Sequence, residues 1–220
     1  LRIYSTIDYN LQKKAEEAVR NGLIEIHKRV KPQVQASLIA IDLKTGYVKA
    51  LVGGNDFWET QYNRVFSLRQ PGSAFKPFVY AVALMDGWSP DDTILDSPVS
   101  FPGSVQGKSW SPKNYNNEYH GEVPLRKAIA LSLNAATVRL ASQVGIKNVV
   151  EFAEQCGLTT KIHPYLSTAL GASDVKPIEL TAAYSVFATG KKIKPVFYEK
   201  ITDHNGITIE ENKSEIQQIL

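Results

Sequence analysis

The sequence is poor in the residues that would staple a fold or load it with metal. It holds one cysteine, Cys156, so no internal disulfide can form. A lone cysteine reads as a small buried apolar residue rather than a nucleophile. The four histidines, His27, His120, His163 and His204, are widely scattered. None forms a metal-spaced pair such as H-E-x-x-H, so neither a metal nor a cofactor is expected. The longest apolar stretches, such as 37–41 and 77–85, fall far short of a membrane span. No signal peptide, internal repeat or low-complexity tract is visible. Charge of one sign is also missing: 25 basic residues stand against 22 acidic ones, for a net +3. That balance gives no basic face for nucleic acid. The only methionine is Met85 and the chain opens at Leu1, so the sequence reads as a piece of something longer. What remains is an ordinary globular composition, 43% hydrophobic and 21% charged over 220 residues, which suffices for a large core in one or two domains.

Periodicity places the elements. Residues 10–30 carry Leu11, Ala15, Val19, Leu23 and Ile26 at helical spacing, and Pro32 stops that helix. Two strand-like runs, 34–43 and 47–54, are joined by Lys44-Thr45-Gly46, which reads as a hairpin turn. Past Gln70-Pro71-Gly72 a helix follows Ser73 until Asp86-Gly87 breaks it. Residues 88–124 lack a sustained period and read as a long loop, whose aromatics Phe101, Trp110, Tyr115 and Tyr119 argue against disorder. Helical patterns return at 125–142, 147–156 and 178–189, the last entered through Pro177. A second hairpin spans 196–203, Asn205-Gly206 and the run ITIEEN, and residues 213–220 read as a helix start or a disordered end.

Chemistry concentrates at Ser73-Ala74-Phe75-Lys76. A serine hydroxyl is a weak nucleophile at neutral pH and needs a base within reach. A lysine three residues on shares its helix face. Near the positive end of the helix, and partly buried, the Lys76 ammonium is disfavoured, which suits a neutral base. Roughly one S-x-x-K is expected by chance at this length, and a second occurs at Ser173-Asp174-Val175-Lys176. There Pro177 disfavours helical geometry at Lys176, so that pair is set aside. The chain's only S-x-N is Ser132-Leu133-Asn134, in a helix-prone segment that breaks there. A second hydroxyl can relay a proton, and an amide offers both a donor and an acceptor to a peptide-like substrate. A plain helix cap is the competing reading of the same three residues.

In this order S-x-x-K and S-x-N resemble the active-site serine penicillin-recognising enzymes, whose third motif is K-T-G. The closer resemblance is to the bifunctional (class A) penicillin-binding proteins. RQPGSAFKPFVYAVAL (69–84), with Asn63-Arg64 just upstream, looks like that family's nucleophile segment. PKNYNNEYHGEVPLRKAIALSLNAATVRLA (112–141) is similar to its S-x-N segment, and LGASDVKPIELTAAYSVFATG (170–190) to the stretch after it. STIDYNLQKKAEEAV (5–19) looks like the connector that follows the glycosyltransferase domain. The resemblance implies an α/β (α+β) serine β-lactamase/DD-peptidase-like fold, with an antiparallel sheet packed against helices and a largely helical subdomain. Residues 1–33 would be the connector region and 34–220 a partial transpeptidase domain. It implies a peptidoglycan D,D-transpeptidase acting on D-Ala-D-Ala stem peptides and acylated by β-lactams. Ser73 would be the nucleophile, Lys76 the base, Ser132 the relay, and Asn134 a contact to substrate and Lys76. Trp110, Tyr115 and Asn116 would line the groove, with a packed structural loop as the alternative. The parent protein would be membrane-anchored through an absent N-terminal segment, facing the periplasm or outer surface, with this piece itself soluble and further cell-wall synthesis partners unidentified. A D,D-carboxypeptidase, a β-lactamase-like hydrolase and a non-catalytic peptidoglycan-binding module are the rival readings.

One departure stands out. Lys44-Thr45-Gly46 spells the third motif but precedes Ser73 and occupies a turn, and no Lys-Ser/Thr-Gly follows Asn134. By resemblance the chain stops before that strand, which in the family supplies one of two oxyanion donors. Losing one such donor costs ~10²–10³ in rate. These 220 residues are therefore expected to acylate poorly or not at all. Rapid stoichiometric labelling of Ser73 by a fluorescent penicillin would contradict this.

Overall fold

A computed structural model describes residues 1–30, 34–102 and 109–220. They form two compact units, the first built from Leu1–Leu68, Cys156–Leu158 and Lys176–Leu220, the second from Arg69–Gln155 and Thr159–Val175. Every strand pair among the described residues is antiparallel. Helices and short sheets alternate, an α+β architecture.

In the first unit, helix Tyr9–His27 starts where the Asp8 carboxylate accepts from the Leu11 amide at 3.0 Å. Its buried face, Ala15, Val19 and Leu23, packs on Ala50 and Val52 of the hairpin Leu38–Ile41/Val48–Val52. Leu11 and Ile26, read from periodicity into the same stripe, are exposed. The helix ends at His27, before Pro32, which lies outside the described residues, as does residue 33, where the expected connector region ends. The expected turn at 44–46 is built on Asp42, whose carboxylate accepts from the amides of Lys44 and Thr45. Gly46 adopts φ +73° there, with the Lys194 carbonyl where a side chain would begin. The N-terminal strand Arg2–Ser5 pairs with Tyr198–Thr202, which pairs with Thr208–Glu211 across the Gly206 turn. The tail differs from expectation: Ile216–Gln218 is a strand on Lys191–Ile193, because that edge offers backbone partners that outweigh its polar composition.

The second unit is the helical one. Helix Lys76–Met85 packs against Asn134–Val144 and Ile146–Gln155. Phe75, Phe78, Val79, Leu125, Val138, Leu140 and Phe152 make the core. Phe78 stacks obliquely on Phe75 and edge-on to Phe152. Of the stretch 88–124, the described residues 88–102 and 109–124 carry more regular structure than their composition suggests. Strand Thr93–Asp96 pairs with Gly121–Pro124, and Phe101–Pro102 with Ser109–Trp110. These ladders are too short for strand periodicity to register in sequence. Cys156, which belongs to the first unit, is buried, and burial pushes its thiol up to about 12.

Leu23 is 2% exposed at the centre of the first unit's helix–hairpin contact. Leu23→Ala should therefore destabilise the protein by about 3 kcal/mol, read as a lowered midpoint in urea with an unchanged slope.

Candidate active site

All four residues singled out by S-x-x-K and S-x-N lie in the second unit. Gly72, at φ +56°, turns the chain into a 3-10 turn, Gly72–Phe75, which runs straight into helix Lys76–Met85. Residues three apart in a 3-10 turn eclipse, so Ser73 and Lys76 fall on one face. The turn is held from outside. The Gly72 amide donates to the Gly171 carbonyl, Arg69 and Val175 exchange backbone hydrogen bonds, and the Gln70 amide donates to the Ala172 carbonyl. Gly171 sits at φ +74° so close to Gly72 that a Cβ on it would fall inside the Gly72 backbone. A glycine is required there because a backbone occupies the space of its side chain.

The second segment is a helix broken for one residue. The expected helix over 125–142 divides into Leu125–Ala130 and Asn134–Val144. Ser132 has φ +53°, the left-handed conformation. Its amide donates to the Ile129 carbonyl, and the Leu133 amide to the Ala128 carbonyl. Those two bonds are a Schellman motif with serine at the position where glycine is usual. A non-glycine residue held there stores about 1–3 kcal/mol, and such strain gathers at functional sites.

The strain has a visible product. The Ser132 hydroxyl lies 3.0 Å from the Ser73 hydroxyl and 3.0 Å from Lys76 Nζ. Lys76 Nζ also donates to the Ser132 carbonyl at 2.6 Å and to Asn134 Oδ1 at 2.6 Å. The lysine is 2% exposed, whereas Ser73 and Ser132 are open to solvent. Burial pulls the Lys76 amine down to about 8 from an ordinary 10.5. Ser73 reaches that amine through Ser132; among the described residues no direct hydrogen bond joins Ser73 to Lys76. Ser73, Ser132 and Lys76 thus form a three-membered hydrogen-bonded chain.

Asn134 opens the second helix, and both ends of its amide are engaged: Oδ1 accepts from Lys76, and Nδ2 donates to the Lys113 carbonyl at 2.8 Å. Asn114, one residue on, is buried and bonds the same helix start; spacing rules did not select it. The expected groove residues are Trp110, Tyr115 and Asn116. Tyr115 is fully exposed, the Asn116 amide is bonded to Glu118, and Trp110 lies against Phe101. The second S-x-x-K does not assemble: the Ser173 hydroxyl pairs with Thr168, and Lys176 with Glu179.

An exposed serine linked through a second hydroxyl to a buried amine of lowered basicity is the arrangement of a serine acyl-transfer centre. Comparison with known proteins agrees. Residues 36–219 match the family described as the penicillin binding protein transpeptidase domain, and the chain belongs to that family. Penicillin-binding protein 1A of Aquifex aeolicus is 45% identical over 191 residues, 86% of this chain and 26% of that protein. Its namesake in Neisseria flavescens is 37% identical over 212 residues, 90% of this chain and 26% of that protein. The chain thus spans about a quarter of the length of these curated relatives. The crystal structure of penicillin-binding protein 1A from Haemophilus influenzae superposes with a TM-score of 0.77 at 33% identity, over 84% of this chain and 28% of that one. Mycobacterium tuberculosis PonA1, solved with penicillin V, shares the fold with a TM-score of 0.80 at 23% identity, over 96% of this chain and 57% of that one.

The backbone at Ser132 gives a test with an unusual sign. Ser132→Ala and Ser132→Gly delete the same hydroxyl, but only glycine relieves the left-handed strain. The glycine variant should be more stable than the alanine variant by about 1 kcal/mol in chemical denaturation. The opposite order holds inside ordinary helices.

Proposed function

We propose that this chain carries out the acyl-transfer half of peptidoglycan cross-linking, with Ser73 as nucleophile, Lys76 as base, Ser132 as proton relay and Asn134 as the group that holds Lys76. The observation that carries the reading is the chain of 3.0 Å contacts from Ser73 through Ser132 to a buried amine. In the ammonium form Lys76 donates to Ser132. In the neutral form its lone pair accepts from the Ser132 hydroxyl, which in turn accepts from Ser73. Attack of Ser73 Oγ on the carbonyl between two D-alanines then passes its proton along this chain. The C–N bond breaks, and the proton leaves on the departing D-alanine nitrogen. An amine of a neighbouring stem attacks the ester, forms the new amide and returns Ser73 to a hydroxyl. A β-lactam follows the first half: its ring C–N bond opens, the nitrogen takes the proton, and the ester on Ser73 persists.

Peptidoglycan lies outside the cytoplasmic membrane, so this chemistry belongs on the periplasmic or outer face. Among the described residues no helix is long and apolar enough to cross a membrane. Stem peptides and β-lactams are the partners this site would take.

The base hypothesis fixes the sign of the pH dependence. With its amine near 8, about a tenth of Lys76 is neutral at pH 7. The acylation rate by a β-lactam should climb about tenfold per pH unit up to roughly pH 8 and level off above it. In a chain that also carries the family's K-T-G strand, intact-mass measurement after prolonged incubation should find the adduct on the unsubstituted protein and none on Ser73→Ala. A rate independent of pH between 6 and 9 would remove Lys76 as the base, and an adduct on Ser73→Ala would remove Ser73 as the nucleophile.

A further inference from the structure

We infer that Asn114, aimed by the buried carboxylate of Asp96, is a positioning residue for this site, acting on Lys76 through Asn134. The inference rests on the acyl-transfer reading above. Asp96 is completely buried, and both of its oxygens, at 3.0 Å, accept from Asn114 Nδ2. The His120 amide supplies a further donor at 3.0 Å. Asn114 is 4% exposed, and Nδ2 also donates to the Glu118 carbonyl at 2.8 Å. With its NH₂ end fixed on those acceptors, its oxygen has one direction left. It accepts from the Asn134 amide at 2.7 Å and the Ala135 amide at 3.2 Å. Both donors and both acceptor positions of the Asn114 side chain are thereby used.

Helix Asn134–Val144 has no side-chain cap of its own, since the residue at its cap position is Leu133. Asn114 caps it from twenty residues upstream. The capped residue is the one whose Oδ1 receives Lys76 Nζ, and the neighbouring Lys113 carbonyl holds the other end of the same amide. Two consecutive residues of the 111–120 segment therefore fix the backbone and the side chain of Asn134. Groups that orient a reacting residue matter to rate because small displacements lengthen every bond downstream.

Only an amide satisfies this arrangement. A carboxylate at 114 would face the Asp96 carboxylate, and alanine would leave Asp96 buried and short of donors. The reciprocal pair, Asp96→Asn with Asn114→Asp, keeps one donor between the two side chains and puts an anion at the helix start, where it is favoured.

The test is the β-lactam acylation rate at saturating inhibitor, separated from pre-acylation affinity, on the chain extended through a strand that carries the family's K-T-G, with folding checked by thermal unfolding. Asn114→Ala and Asn114→Asp should each lower that rate ~10–100-fold, while affinity before acylation changes little, as for other supporting residues one step behind a site. The reciprocal pair should recover a substantial part of the loss seen in Asn114→Asp. If either single variant fails to fold, the recovered rate of the reciprocal pair carries the test. An Asn114→Ala protein that is folded and acylates at the unsubstituted rate would overturn the inference alone. So would a folded reciprocal pair no faster than Asn114→Asp, or one that does not fold. A Ser73 adduct absent even from the unsubstituted chain extended through that strand would instead overturn the acyl-transfer reading on which the inference rests.

Discussion

A lysine amine taken out of water is the constraint around which the second unit is arranged. Lys76 is almost wholly buried, and its hydrogen-bond partners are the Ser132 carbonyl and hydroxyl and Asn134 Oδ1. None of these is charged, so the desolvation of the ammonium is not compensated by an ion pair, and its basicity falls to about 8. The energetic sign follows from comparing folded and unfolded chains. Below pH 8 both carry the proton and the folded state bears the burial penalty, about 3 kcal/mol. Between about 8 and 10.5 the unfolded chain binds the extra proton, so stability rises with pH across that window. The full penalty is thus still present at neutral pH, where about nine-tenths of Lys76 remains protonated.

A second investment of the same kind lies in the backbone. Ser132 is held in the left-handed region, and Gly72 and Gly171 are pressed together beside Ser73. Both features keep two exposed hydroxyls at fixed separation over a buried amine. Neither improves the fold on its own terms, and rigid packing around Phe75 and Phe78 keeps them from relaxing.

The sequence was informative where chemistry and spacing coincide. Ser73 and Lys76 stand out because a polar pair opens an apolar helix after Pro71-Gly72, and Ser132 and Asn134 because their segment is otherwise helical. The hairpin at 44–46 and the turn at 205–206 were equally legible, since Asp42 and the glycines dictate them locally. What was not legible is what depends on distant partners. The strand Ile216–Gln218 exists because Lys191–Ile193 offers an edge. The ladder Thr93–Asp96/Gly121–Pro124 joins segments separated by a polar stretch with no period of its own. Asn114 sits in a run with Asn116 and Asn117, and nothing in its neighbours distinguishes it. One faint signal was present: Asp96 alternates with Ile94, a charge on the inward face of a strand.

The remote cap follows from the way the two helices are joined. Leu133 is the last residue of the Schellman motif that ends Leu125–Ala130 and also the cap position of Asn134–Val144. The first role favours an apolar residue, because the motif closes on a hydrophobic contact, and Leu133 is buried accordingly. The second favours Ser, Thr, Asp or Asn. One side chain cannot meet both demands, and the apolar one prevails because the break must be tight enough to bring the Ser132 hydroxyl over Lys76. The amides at the start of the second helix then need an acceptor from elsewhere in the chain. That acceptor must itself be held rigidly, or the position of Asn134 would fluctuate with it. A buried carboxylate gripping an amide satisfies the requirement without placing a charge directly beside the lysine, where it would favour the ammonium form that burial disfavours.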